Sequence, residues 1–393
     1  MKMKQVLATG AALSMALSMT PVTASAADKV DINVIAAQYG QQTADWWANF
    51  VTEFNEANPD INLNVEVVSW NDIYTVVNTR IANGEAPDVL NIDVFADYQA
   101  DDLLLPIQDV VSEETYSKMY DAFLAQSEVD GTVWAIPDLA SARAMYYNKD
   151  ILDAAGVEVP TTWDEFEEVL QKLSDAGIQP LTTGGSDKWG ATRLINAYAV
   201  RTAGNDIMTK AADGEVPYTD EKLVAAADKI AEWAEKGYFG EGITTVDMNT
   251  AGSMLMSGKA AIFYNGSWFT QNLTDDSQNP AGEDGIGFFN IPVADESISS
   301  ATSYSMNCGN ILALDNDKYD EATGWFLKYF MENIGNVAME DQGTVKGYTY
   351  DVAADDMDNY TKLVLDEIDK STEGFAWWEA KMPSEISKTA QEN

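Results

Sequence analysis

Between Ile32 and Ile92 the apolar residues switch back and forth between strand spacing and helix spacing, a pattern few folds can absorb. Ile32, Val34 and Ala36 alternate as a strand. Trp46, Trp47, Phe50, Val51 and Phe54 then share one face of a helix that must end before Asn58-Pro59, because a proline drives the residue ahead of it out of the helical region. Ile61, Leu63, Val65 and Val67 alternate again. A helix capped by Asn71 or Asp72 carries Ile73, Val76, Val77 and Ile81 as far as Gly84, and Asp88 to Ile92 reads as a third strand. Strand–helix–strand at these distances builds a parallel sheet with right-handed crossovers. The same grammar returns in a helix capped near Thr219 with Leu223, Ala227, Ile230 and Ala234, and in a strand over Ala260 to Tyr264. A further helix runs from about Asp320 through Met331, with Trp325, Phe326, Tyr329 and Phe330. No low-complexity linker divides the 393 residues, so the expectation is two interlocked lobes with several crossings.

Composition removes whole classes of chemistry. Histidine is absent, which excludes Ser-His-Asp and Cys-His catalysis and argues against zinc. Cys308 is the single cysteine, so no intrachain disulfide exists and the thiol reads as a small packing residue. Lys2 and Lys4, the apolar stretch Val6 to Met19 and Ala24-Ser25-Ala26 make residues 1–27 a secretory signal peptide. No cysteine lies near that cleavage site, so the expected product is periplasmic or extracellular and not lipid-anchored. The formal net charge of −41 repels nucleic acid and anionic membranes, so neither is an expected partner, and the acidity reads as a solvated surface; the expected form is a monomer. Asp315-Asn316-Asp317 and Asp320 fail as a calcium loop, since Asp320 and Phe326 stand where glycine and glutamate are needed; they read instead as a turn and a helix cap. No cofactor is implied, and Gly184-Gly185 lacks the residues that complete a phosphate loop.

Open parallel sheets bind ligands at the carboxyl ends of their strands. Those ends carry Gln38 and Tyr39, Ser69 and Trp70, Asp93, and Asn265-Gly266-Ser267-Trp268. Rings that stack on a C–H face, beside amides and carboxylates that take hydroxyls, are what a sugar requires. Trp46 and Trp47 are core by their helical spacing, and Trp163 is a helix-start packing residue. Trp70 is balanced between a pocket wall and a staple.

The most distinctive stretch runs from Trp134 to Leu170. A short strand, Trp134 to Ile136, meets Pro137-Asp138 and a small polar run, and a second strand from Ala144 closes on Tyr147-Asn148-Lys149-Asp150. Thr162-Trp163-Asp164-Glu165 then forms a capping box ahead of Phe166, Val169, Leu170 and Leu173. This order, with Gly258-Lys259-Ala260-Ala261 leading to Asn265-Gly266-Ser267-Trp268, resembles the bacterial extracellular solute-binding proteins that serve sugar importers, in their maltose-binding-protein-like branch. The resemblance implies an α/β, two-lobe periplasmic-binding-protein fold of type II, each lobe a mostly parallel sheet flanked by helices, with the ligand cleft between lobes. It divides the chain into residues 28–139 plus about 307–345, and about 140–306 plus about 346–393. It implies that Trp268 stacks on the sugar, with Asn265 beside it and Asp93, Asp138 and Arg143 near the crossover. Trp189 would face the cleft, Tyr304 and Asn307 would open the second crossover, and Trp377 or Trp378 would add one more ring. Arg143, with 23 basic residues among 64 acids, is equally open to pairing with a carboxylate. The implied partners are a carbohydrate and the transmembrane subunits of an ATP-driven permease, without enzymatic activity. The rivals are a secreted glycoside hydrolase and a receptor for another solute such as a polyamine.

Overall fold

The computed structural model describes residues 29–38, 42–70, 72–92, 98, 102–120, 123, 127–129, 131–343, 345–353, 357–378, 382, 386 and 389. The expected signal segment, Asn71, Tyr39 and Asp93 lie outside the described residues.

The first third follows its periodicity. Strand β1 (Val30–Gln38) leads to helix α1 (Ala44–Ala57), then β2 (Ile61–Ser69), α2 (Ile73–Ala82) and β3 (Val89–Ile92). β1 lies between β2 and β3 and is parallel to both, as helical crossovers demand. The Thr43 hydroxyl starts α1 by accepting the Trp46 N–H at 3.2 Å. That helix turns Trp47, Phe50 and Phe54 onto the sheet, as their spacing predicts.

After a short hairpin, β4 (Glu128–Val129) with β5 (Thr132–Val133), the chain departs from expectation. The strand expected over Trp134 to Ile136 does not form, Trp134 and Ala135 lying outside any strand, whereas the strand expected from Ala144 extends back through Pro137-Asp138 as β6 (Ile136–Asn148). Pro137 sits second in it, where a missing N–H costs little, and its carbonyl accepts the Tyr348 hydroxyl at 2.6 Å. β6 is followed by α3 (Lys149–Ala155), α4 (Trp163–Asp175), β7 (Leu181–Thr182), α5 (Trp189–Ala203), α6 (Glu221–Glu235), α7 (Met248–Met256), β8 (Ile262–Gly266) and β9 (Ile286–Phe289). The chain returns through β10 (Ser303–Leu314), α8 (Glu321–Gln342), α9 (Asn359–Asp369) and β11 (Glu373–Phe375).

Apart from the hairpin, the described strands make one nine-stranded sheet in the order β2-β1-β3-β10-β6-β8-β7, with β11 beside β10 and β9 beside β6. Parallel pairs occupy its outer parts, and the shared strands β6 and β10 run antiparallel. β10 pairs through Ile311 to Leu314 with β3, while β6 pairs from Arg143 onward with β8. Each of the two strands therefore belongs to both lobes.

Helices α1 and α8 cover one face of the amino lobe (Trp47, Phe54, Phe326, Phe330), and α2 covers the other (Ile73, Val77, Met306). In the carboxyl lobe α4, α5 and α6 bring Phe166, Leu194 and Trp233 to one face, and α7 with α9 brings Leu255 and Val364 to the other. The capping box at Thr162 and Glu165 is present, and Trp163 packs flat on Trp233 with ring centres 5.5 Å apart. Cys308 is buried, its thiol directed at the Phe123 carbonyl, and Asp320 caps α8 by accepting the Thr323 N–H at 2.8 Å.

Three details differ from the sequence reading. The inward face of α6 is Leu223, Ala226, Ile230 and Trp233, with Ala227 and Ala234 exposed, because the bulk of Trp233 sets the stripe. α8 runs on to Gln342 and leaves Trp325 48% exposed. Residues 346–351, expected in the carboxyl lobe from about 346 onward, pack on the amino lobe: Tyr348 joins its core, and the Gly347 carbonyl accepts the Tyr120 N–H. Gly343, in the left-handed region at φ 57°, turns the chain back there.

Trp47→Ala should cost about 3–5 kcal/mol of stability as a buried aromatic truncation, read from denaturant unfolding. Burial also gives a pH signature. The hydroxyls of Tyr146, Tyr264 and Tyr348 are held above the ordinary value of 10.0, so their share of stability is full below that pH and lost above it. Lys346 runs the other way. Burial pushes its amine down to about 8 from 10.5, so the unfolded chain binds more protons between those values and this share rises with pH. Melting temperature should rise between about pH 8 and 10, as Lys346 dictates, and fall above 10 as the tyrosines titrate, on a thermal-melt series.

Candidate functional site

β8 ends at Gly266 and turns directly into a short 3-10 segment, Ser267–Phe269. The Asn265 side-chain oxygen accepts the Gly266 N–H at 2.9 Å and fixes that turn. The Trp268 indole then folds back across Gly266, where a Cβ would lie 2.1 Å from the ring. Only glycine leaves room for it. In the next strand, Arg143 pairs in register with Gly266 and brings its guanidinium carbon 4.7 Å from the centre of the Trp268 ring.

Trp189 opens α5 and meets Trp268 edge to face, ring centres 6.5 Å apart, with the same guanidinium 5.0 Å from its own ring. Arg193, one helical turn along α5, lies 3.7 Å above Trp377, and Arg143 is 5.6 Å from that ring. Three indoles and two guanidiniums, delivered by β6, α5, the end of β8 and the segment after β11, thus form one interleaved group. Cation–π contacts of this kind are worth about 0.5–2 kcal/mol each, which fixes the rings' orientation before any ligand arrives. Trp268 remains part-exposed within the group.

The structure separates Trp377 from Trp378. Trp377 joins the ring group, whereas Trp378 lines a cavity of about 490 Å³ behind it with Ile195, Ala199 and Leu223. Sequence reasoning missed Arg193, although its spacing of four from Trp189 places both on one helix face.

Asp138 is fully buried, and its two carboxylate oxygens accept the side-chain amides of Gln42 and Asn91, each at 3.1 Å. Asn265 is likewise buried, with its oxygen committed to the turn. The Tyr304 hydroxyl is bonded to Glu367 of α9, and burial first, then that contact, raises its pKa well above the ordinary value. Asn307 pairs through its backbone with Ser141 on β6; its side chain, like Tyr39 and Asp93, lies outside the described residues. Gln38 is exposed at the end of β1. Trp70 is half-buried and packs edge-on against Tyr74, 6.4 Å away, on the α2 side of the amino lobe. Gln42, Asn91 and Lys346, none of which the sequence singled out, meet beneath the strand ends.

A cavity of about 940 Å³ lies elsewhere, along the β2 edge, among Asn64, Glu66, Arg80 and Trp47. It opens beside the middle of β1 and β2, not at their carboxyl ends, so strand topology assigns it no ligand. Among the described residues no three His, Cys, Asp or Glu side chains are grouped to hold a metal.

Two lobes sharing two strands, with an aromatic group beside the crossing, define a two-lobe α/β protein of the binding-protein class. The family model for bacterial extracellular solute-binding proteins matches residues 39–334, and the chain belongs to that family. A Brucella abortus (strain 2308) binding protein is 27% identical over 259 residues, covering 65% of this chain and 62% of its own length. A multiple sugar-binding protein of Streptococcus mutans serotype c is 25% identical over 248 residues, covering 62% of this chain and 58% of the relative. The chain thus matches about six-tenths of the length of these relatives. A solved chitin oligosaccharide binding protein shares the fold at a TM-score of 0.81 and 20% identity, over 93% of both chains.

Gly266→Ala should displace the Trp268 ring and cost about 1–3 kcal/mol by overpacking. In a Trp268→Ala background the same change should be nearly neutral. A double-mutant cycle on unfolding free energies checks this, and additivity of the two costs would contradict the ring-over-glycine packing.

Proposed function

We propose that this protein is the substrate-binding component of an ATP-driven importer and captures a neutral mono- or oligosaccharide between its lobes. The observation that carries the reading is the ring group around Trp268. Preoriented indoles supply the flat apolar surfaces that sugar C–H faces need, and guanidiniums are donors to ring oxygens and hydroxyls. Two buried arginines at the same place oppose a polyamine cation. The names of the sugar-binding relatives point the same way.

Capture needs no bond-making residue. Ligand settles on the ring group of the carboxyl lobe, and the lobes close about β6 and β10, the strands they share, in hinge fashion. Closure adds contacts from the loops after β1 and β3, so ligand shifts the open–closed balance by its extra affinity for the closed form. The amino lobe comprises the chain through the start of β6, the end of β10, α8 and the turn to about residue 351; the rest forms the carboxyl lobe. The closed monomer, exported to the periplasm by its amino-terminal segment, then docks on the permease.

A melt screen of the mature protein against glucose, maltose, raffinose and chitobiose, with spermidine as control, tests the reading. A sugar at about 100 times its dissociation constant adds about 2.7 kcal/mol and raises the melting temperature by degrees. Trp268→Ala should then lower affinity for that sugar by about 2–4 kcal/mol while circular dichroism stays unchanged. A shift with spermidine alone, or consumption of a sugar, would reject the proposal.

A further inference from the structure

We infer that Asp187 is a positioning residue for Trp189. Its carboxylate clamps the loop ahead of α5 to the start of α7, and so holds a strained turn that aims the indole into the ring group. The inference rests on the binding reading above.

Trp189 reaches the ring group from the first position of α5, so the angle at which the chain enters that helix sets where the indole lies. A helix is usually entered from an extended residue whose side chain caps the first turn. Lys188 does neither: it stands at φ 64° and ψ −45° and makes no side-chain cap. Around it, the Trp189 N–H donates to the Asp187 carbonyl, two positions back, at 2.7 Å. Bond and angles together make a γ-turn of the rare, strained hand. Lys188 and Asp102 are the non-glycine residues at positive φ among the described residues, and of the two it is Lys188 that adjoins the ring group.

Strain of this kind persists only where the surroundings over-determine it. One side of the loop is fastened to the segment that leads into α7. The Asp187 carboxylate accepts the Met248 N–H at 2.7 Å, and the Ser186 N–H donates to the Val246 carbonyl at 3.0 Å. Gly185 lies so close that a Cβ there would be 2.3 Å from the Ile243 carbonyl oxygen. On the other side, a Cβ on Gly190 would meet the Thr183 hydroxyl at 2.3 Å, which seats the first turn of α5 on the residue after β7. Among these contacts the Asp187 bond is the charge-assisted one, and it sits at a helix N-terminus, where aligned peptide dipoles favour an anion. Asp187 itself is exposed, so the clamp can be removed without opening the core. The turn delivers the Trp189 ring 6.5 Å from Trp268 and 5.0 Å from the Arg143 guanidinium carbon, and leaves it part-exposed.

Calorimetric titration with the panel sugar that the unaltered protein binds most tightly tests the clamp. Asp187→Ala should bind it roughly tenfold more weakly, because apparent affinity falls with the fraction of molecules left in the binding-ready orientation. Asp187→Asn, whose side-chain oxygen can still accept the Met248 N–H, should recover most of that loss. A role exerted through the indole must vanish with it: in a Trp189→Ala background, Asp187→Ala should change affinity by less than about twofold. Thermal melts read the strain. Lys188→Gly should raise the melting temperature of the unaltered protein, since glycine adopts positive φ without penalty, and should raise it less once Asp187→Ala has released the turn. An Asp187→Ala affinity within about twofold of the unaltered protein, an equal loss in both backgrounds, or no gain from Lys188→Gly would overturn the inference. Failure of the unaltered protein to bind any sugar would instead remove the binding reading, while the melts would still report the clamp.

Discussion

Everything in this molecule hangs on the antiparallel pairing of β6 with β10. From Arg143 opposite Ser305 to Ile136 opposite Leu312, these two strands form the only sheet connection among the described residues that both lobes share. The amino lobe is threaded onto their one end through β3, and the carboxyl lobe onto the other through β8 and β9. The register slips between Cys308 and Ile311, at the middle of the pair. Such an irregularity adds local twist and bend where a strand must serve two differently oriented layers.

The same strand pair sets the site. Asp138 and Arg143 are only five residues apart on β6, yet one anchors the buried polar network of the amino lobe and the other the ring group of the carboxyl lobe. A change of angle between lobes therefore moves these two assemblies relative to each other while leaving each intact. Charge is arranged to match. In a chain of net charge −41, the guanidiniums of Arg143 and Arg193 are kept against indole faces, where the rings' negative quadrupoles favour them. Arg201 is a third buried guanidinium with a different purpose. It donates to the carbonyls of Ile291, Ser300 and Ser303 and to the Ser299 hydroxyl, fixing the loop from which β10 starts.

Local chemistry was legible wherever the determinant was itself local. The β1–α1–β2–α2–β3 run, the capping box at Thr162 and the core roles of Trp47 and Trp163 follow from spacing and cap residues alone. Trp268 could be singled out because it stands at the end of a strand within a segment, Gly258 to Trp268, that resembles the family's ligand-stacking element. The extension of β6 back to Ile136 was hidden, since Pro137-Asp138 carries the signature of a turn and its pairing with β10 makes it a strand. The duty of Asp138 was hidden for a related reason: a carboxylate at a strand crossing looks the same whether its partner is a ligand or an asparagine and a glutamine from distant segments.

The sequence by itself determined the alternating α/β order, the absence of histidine and disulfide chemistry, and the presence of an indole at the end of β8, because each is fixed by residue identity or short-range spacing. Only the tertiary structure decided which of Trp377 and Trp378 joins the ring group, that Arg193 stands over it, and that Lys346 reaches Gln42 from 304 positions away. Those contacts depend on how the second crossing returns the chain to the first lobe. That path is selected by the burial of whole faces, and no local pattern records it.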